Sequence, residues 1–229
     1  DIMAKLVEME KLAALGEMAM FITHQLRNPL VAIGGFTDQL LNPQTDEQKR
    51  KRNLEIIRNE VRRLEEVLLK LPRYLKLEIR EPKPFHLPII FRHLLASFET
   101  RVKVKNIRLQ VDIPEGLPLV KCDAMYAEEA IRNLLDNALD ATPPGGEITI
   151  RSFTENKEWL VVTIQDTGKG MSEDIKAKIF VPFFSTKDKG FGLGLFYGKR
   201  VMDACGGIVQ VESEEGKGTF FKLYFRCQE

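Results

Sequence analysis

The chain has 229 residues, 44% hydrophobic and 29% charged, with 34 Lys and Arg against 33 Asp and Glu for a net charge of +1. That length accommodates two modest domains of a soluble protein, and the charge balance argues against a nucleic-acid binder working by bulk electrostatics, so no nucleic acid is expected as a partner. No apolar run is long enough to cross a bilayer and no signal peptide is visible, so a cytoplasmic setting is expected, with any membrane attachment only through a segment upstream of residue 1.

In chain order, the first helix is expected from the start to about Leu41. Its seam is Leu12, Leu15, Ala19, Ile22, Leu26, Ile33, Phe36 and Leu40 in steps of three and four, with Pro29 in the remaining slot. His24 stands two residues from both Ile22 and Leu26, about 200° from that seam at roughly 100° per residue, so its imidazole should face solvent or another domain. Asn28 lies one turn further on the same face. Pro29, lacking an N–H, leaves the Gln25 carbonyl without its helical donor. Gly34 and Gly35 each lower helix stability by about 1 kcal/mol relative to alanine, which fits close packing or the approach of a partner.

After a turn at Asn42 to Thr45, a second helix is expected from about Asp46 to Ile79, with the stripe Leu54, Ile57, Val61, Leu64, Leu68, Leu71 and Leu75 and a kink at Pro72. Two helices cannot cover both stripes by themselves, and a homodimer completing a four-helix bundle is the economical solution. The stretch Glu81-Pro-Lys-Pro84 stops helix formation and marks the boundary between domains 1–80 and 81–229. Beyond it the pattern is that of an α/β sandwich with a mixed sheet and helices on one face. Helices are expected over Ile89 to Val104, from a cap at Asp123 to Ala141, after Ser172, and up to about Cys205. Strands are expected at Phe85 to Leu87, Ile107 to Val111, Leu117 to Lys121, Glu147 to Phe153, Trp159 to Gln165, Ile208 to Val211 and Thr219 to Phe225. Trp159 reads as core. Cys122, Cys205 and Cys227 are odd in number and lack metal-ligand spacing, which fits reduced thiols better than a disulfide framework.

The second domain carries a nucleotide-binding pattern. Asn133 and Asn137, four apart on one helix, present both carboxamides to one side, and an amide oxygen is a suitable hard ligand for Mg²⁺ carried by phosphates. Asp166-Thr-Gly-Lys-Gly170 follows a strand; the acid can accept a hydrogen bond from an exocyclic amine, and Gly168 and Gly170 let backbone approach a flat ring. Gly190, Gly192, Leu193 and Gly194 open a helix where free N–H groups can cradle phosphate, and Lys187 just before them can supply a mobile charge. Phe180, Pro182, Phe183 and Phe184 are either core or the base of a movable loop.

Taken together and in order, these segments resemble the sensor histidine kinases of two-component signalling over practically the whole chain. His24 to Pro29 resembles the phosphoacceptor box, Asn133 to Ala138 the N box, and Asp166 to Gly170 the first glycine box. Phe180 to Phe184 resembles the F box, Gly190 to Leu195 the second glycine box, and Gly218-Thr219-Phe220 the last nucleotide-site segment. The resemblance implies a dimerisation and phosphotransfer domain followed by a catalytic ATP-binding domain. It further implies Mg²⁺ bound through Asn137 with Asn133 nearby, adenine read by Asp166, autophosphorylation of His24 from ATP, and transfer to an aspartate of a response regulator receiver domain. A hydrolase of the gyrase and chaperone type is disfavoured, because an amide at position 133 cannot take up a proton as the glutamate of those enzymes does. Gln25 replaces an acid usual in the family, which leaves a phosphatase-biased or scaffolding role as the alternative.

Overall fold

The structure is a computed structural model and describes residues 22–23, 26–75, 83–187 and 192–228. The chain divides into two compact units, Asp1–Lys76 and Leu77–Glu229.

The first unit is a helical hairpin. Helix α1 covers 26–41 and runs through Pro29, which is buried, while α2 spans Glu47–Leu75 and continues through Pro72. Leu12, Leu15, Ala19 and the stretch from Lys76 to Ile79 lie outside the described residues. Between the helices, Asp46 Oδ1 accepts from the Lys49 N–H at 2.8 Å and caps α2, and Asn42 Oδ1 accepts from the Gln44 N–H at 3.0 Å. Leu26, Ile33, Phe36 and Leu40 are half-buried on α1, whereas Leu30 and Val31 point to solvent. The stripe of α2 divides. Ile57 and Leu64 are half-buried, but Leu54, Val61 and Leu68, seven apart, are exposed, so one chain leaves a heptad seam uncovered. Asn53 is buried in the hairpin and donates through Nδ2 to Gln39 Oε1 at 3.2 Å, a polar pair that fixes the register of the two helices. A Cβ on Gly34 or Gly35 would meet nothing within 4 Å, so close packing inside the chain is not their reason.

The second unit is a five-stranded mixed sheet in the order β2-β4-β5-β7-β6, with a separate two-stranded pair β1-β3. The strands are β1 (Phe85–His86), β2 (Arg108–Asp112), β3 (Leu119–Val120), β4 (Glu147–Glu155), β5 (Trp159–Asp166), β6 (Ile208–Glu214) and β7 (Gly218–Arg226). Among the described residues the β2–β4 pairing is parallel and the other strand pairings are antiparallel. Helices α3 (Leu87–Val104), α4 (Ala124–Ala141) and α6 (Gly194–Ala204) pack on one face, with the short α5 (Glu173–Lys176) beside β6. The registers Ile150↔Ile164, Val162↔Leu223 and Val211↔Phe221 place these residues on that face, where Ile148, Leu160 and Phe225 join them in the core. The β4–β5 hairpin turns at Asn156 and Lys157, both with positive φ (53° and 60°), the geometry of a turn that matches strand twist.

Two expectations change here. Trp159 lies on the opposite, outer face, half-buried and edge-on to Tyr224 at 6.2 Å with the Arg226 guanidinium 5.0 Å over its ring, because β5 carries apolar residues on both parities and its helix-facing residues are Leu160, Val162 and Ile164, while Val161 is buried on the side of Trp159. Cys122 and Cys205 are not free thiols: they form a disulfide, Cα atoms 5.2 Å apart, between the residue before the α4 cap and the end of α6. The packing of α4 on α6 brings together two cysteines 83 residues apart, which spacing alone does not disclose. Cys227 remains free, its thiol pushed up by burial.

Among the described residues no helix is long and apolar enough to cross a membrane.

Candidate functional site

His24 and Gln25 lie outside the described residues. Asn28 is exposed on α1. In the second unit, helix α4 is the positioning element. Asp123 accepts from the N–H groups of Met125 (2.9 Å) and Tyr126 (3.4 Å), which fixes where the helix starts. Its apolar residues Ile131, Leu134, Leu135 and Ala138 are buried, which turns Asn133 and Asn137 together to another side. The start of α6 comes so close that a Cβ on Gly194 would lie 3.2 Å from Asn133 Oδ1. Buried Tyr197 donates its hydroxyl to Glu129 Oε2 at 3.2 Å, tying the same two helices one turn before Asn133.

Within this arrangement the Nδ2 of Asn133 is the one buried side-chain polar atom without a hydrogen-bond partner among the described residues. An unpaired buried donor destabilises a fold by about 1–3 kcal/mol, which sets this amide apart from the other buried polar side chains. Asn137 Oδ1 accepts from Lys187 Nζ at 2.7 Å, and the same ammonium reaches Asp140 Oδ2 at 2.8 Å. The oxygen expected to meet Mg²⁺ therefore already holds a cation. Asp140 went unnoticed in the sequence, although its place three residues after Asn137 on one helix is a readable signal. No cluster of three or more His, Cys, Asp or Glu side chains suited to a metal occurs among the described residues.

Asp166 ends β5 and is buried. Burial raises its pKa above the ordinary 3.8, while hydrogen bonds from the N–H groups of Gly168 and Thr219 pull it back. The Gly168 N–H lies 2.8 Å from Asp166 Oδ1. Thr219 faces Asp166 across the β5–β7 pairing, and its hydroxyl is 3.1 Å from Ser213 Oγ. A cleft of about 360 Å³ opens beside Asp166 and Thr219, bordered also by Gln165, Lys176, Glu212 and Phe220.

Four of the glycines lie against the chain's own backbone. A Cβ on Gly168 would stand 2.5 Å from the Ala141 carbonyl oxygen, and one on Gly170 (φ +64°) 1.9 Å from that of Glu214. Gly192 (φ +61°) meets the Phe184 carbonyl oxygen at 2.3 Å, and Gly218 (φ +94°) that of Asp166 at 2.0 Å. They let backbone approach backbone, and of the four Gly218 borders the cleft, whose lining does not include Asn133, Asn137 or Lys187. Gly192 also accepts from the Phe183 N–H at 2.9 Å, so the Phe180 to Phe184 segment is clasped to the turn before α6, and Phe183 itself adopts φ +68°. Gly190 lies outside the described residues; Leu193 is buried at the cap of α6, which begins at Gly194.

Comparison with known proteins agrees with this geometry. Residues 14–77 match the family model described as His Kinase A (phospho-acceptor) domain, and residues 122–229 the one described as Histidine kinase-, DNA gyrase B-, and HSP90-like ATPase. Sporulation kinase C of Bacillus subtilis (strain 168) is 32% identical over 218 residues, which is 94% of this chain and 50% of that protein. Signal transduction histidine-protein kinase AtoS of Escherichia coli (strain K12) is 30% identical over 225 residues, 96% of this chain and 36% of that one. The chain thus spans half or less of these curated relatives. Among solved structures, histidine kinase ThkA in complex with response regulator protein TrrA superposes with a TM-score of 0.79 at 30% identity, covering 96% of this chain and 64% of that one. The isolated catalytic domain of ThkA gives a TM-score of 0.57 at 30% identity, over 64% of this chain and 96% of its own.

Proposed function

The chain belongs to the sensor histidine kinases of two-component signalling, and we propose that it binds Mg-ATP in the second unit, phosphorylates its own His24 and passes the phosphoryl group to an aspartate of a response regulator. The observation that carries this reading is the orphaned, buried Nδ2 of Asn133, one helical turn from an Asn137 oxygen that already holds a cation.

Each residue has a task in this scheme. Asp166, when ionised, accepts a hydrogen bond from the exocyclic amine of adenine, and the N–H groups of Gly168 and Thr219 hold its carboxylate in place. Asn133 donates toward phosphate oxygen, and Asn137 turns its amide oxygen to the metal side. Lys187 moves from Asn137 to the terminal phosphate. Mg²⁺, when bound, neutralises charge on the transferring phosphoryl group. Phosphoryl transfer asks mainly for such positioning and charge compensation. His24 supplies the nucleophile, unprotonated in the majority at neutral pH with an unperturbed pKa near 6.5. The exposed seam of Leu54, Val61 and Leu68 is covered by a second copy, giving a homodimeric four-helix bundle. In related systems the response regulator is seen bound to its kinase, as TrrA is to ThkA. We take a receiver domain to be the partner here.

The test is incubation with Mg²⁺ and γ-labelled ATP, with His24→Ala beside the wild type, followed by addition of a receiver domain. Acid-labile label on the wild type alone, then on the receiver, is expected. Label retained by His24→Ala removes the histidine from the scheme.

A further inference from the structure

Asn137 and Asp140 stand on one face of α4, and Lys187, 50 and 47 residues further along the chain, comes to both. Its ammonium has three donors; two are directed at these oxygens, at 2.7 and 2.8 Å. A neutral amide oxygen alone is a weak holder for an ammonium. The formal charge that keeps Lys187 here is that of Asp140, whose carboxylate has no other ion-pair partner among the described residues. The loop carrying Lys187 is steadied further by the Lys187 N–H, which donates to Ser185 Oγ at 3.1 Å.

An aspartate at this place is otherwise unfavourable. It puts a negative charge one turn from the amide that is to receive the metal side of a triphosphate, where it repels the ligand. We propose that Asp140 is a positioning residue: in the nucleotide-free protein it parks the Lys187 ammonium on the Asn137 oxygen, so that Mg-ATP binds by exchange with a cation the site already holds. The proposal rests on the reading of Asn137 as the metal-side ligand. Its consequence is a site that stays electrically compensated while empty and keeps the Lys187 loop in one place. Nucleotide binding then frees Lys187 for the phosphates, and Asp140 loses its partner in the same step.

The ion pair is partly exposed, with side-chain exposures of 36% for Lys187 and 51% for Asp140. Its strength is therefore that of a surface pair, and removing it should change nucleotide affinity by about two- to fivefold. Two measurements on the full chain test the proposal. The first uses no nucleotide: amide hydrogen exchange of residues 181–187 should be faster in Asp140→Asn than in the wild type. Unchanged exchange there overturns the parking role, whatever the protein does with ATP. The second is calorimetric affinity for ADP, with and without Mg²⁺, in Asp140→Asn, Lys187→Met and the double variant. Asp140→Asn should bind about two- to fivefold tighter in both conditions, and this gain should shrink in the Lys187→Met background to the part that relief of repulsion alone supplies. A gain of equal size in both backgrounds shows simple repulsion by Asp140 and overturns the proposal. A loss confined to the Mg²⁺ condition makes Asp140 a metal ligand and overturns it as well. If the wild type binds no nucleotide at all, the reading of the site fails, while the exchange measurement still decides whether Asp140 holds Lys187.

Discussion

Replacing Gly170 by alanine separates two explanations of the glycine turn after β5. If the glycine is there for a ligand, the substitution weakens nucleotide binding and leaves the empty protein intact. The backbone around it predicts a loss in the empty protein as well: φ is +64°, and the new Cβ would sit 1.9 Å from the Glu214 carbonyl oxygen, on a loop joined to the β6–β7 hairpin by the Gly216 N–H to Lys169 carbonyl bond of 2.7 Å. A left-handed conformation is unfavourable by about 1–2 kcal/mol for an L-residue, and forcing an extra carbon into a filled space adds about 1–3 kcal/mol. Together these give about 2–5 kcal/mol, which for a unit of this size lowers Tm by about 4–20 °C. Gly216, on the same hairpin with φ +80° and nothing within 4 Å of its Cβ, isolates the first contribution: Gly216→Ala should lose only about 1–2 kcal/mol. The sole tryptophan, Trp159, lies on β5, so its fluorescence reports unfolding of the second unit without interference from the bundle. Thermal and urea unfolding without nucleotide should therefore rank wild type, Gly216→Ala and Gly170→Ala in falling order. If Gly170→Ala melts with Gly216→Ala and only its ATP affinity drops, the backbone-contact reasoning is refuted.

The raised pKa of Asp166 gives a signed pH dependence. Folding favours its neutral form, so the stabilisation is complete below 3.8 and is lost as pH rises through the folded value; relative to Asp166→Asn, the wild type should lose stability across that window. ATP affinity should run the other way, weakening as pH falls through the same range because the ionised acceptor disappears, and a flat affinity profile in the wild type would take adenine away from Asp166. The Cys122–Cys205 bond closes a loop of 83 residues, for which chain entropy gives about 4–5 kcal/mol and engineered cases often less. Dithiothreitol or Cys122→Ser should accordingly lower the Tm of the second unit, and three alkylatable thiols in the untreated protein would show that the bond is not made. Gln25→Glu should speed autophosphorylation by at least about tenfold, within the range of one positioned base, with ATP affinity nearly unchanged. Equal initial rates at saturating Mg-ATP and matched dimer concentration would show that position 25 is not limiting.

The sequence by itself determined the kinds of element, their order and the family. A three-four alternation holds only in helices, the strands of the sheet are apolar enough to be seen locally, and the boxes keep their identity as short strings. Asp123 as a cap and the long strand pair β4 and β5 were legible for the same reason: each depends on neighbours a few residues away. What only the tertiary structure decided depends on separation and parity. Trp159 sits in Trp-Leu-Val-Val-Thr-Ile, where both alternating sets are apolar, so only the packing of the helices on one face tells inside from outside. The full stripe of α2 was visible as a period, but its division into a side toward α1 and an uncovered side needed the crossing of the two helices. Asp140 and Lys187 are 47 residues apart and Cys122 and Cys205 are 83 apart, and nothing in the spacing of such pairs carries their contact. The glycines show the difference most plainly. Their positions were readable as points where the chain lacks a side chain, but whether that gap admits a ligand or a neighbouring carbonyl is set by which backbone the fold places beside them.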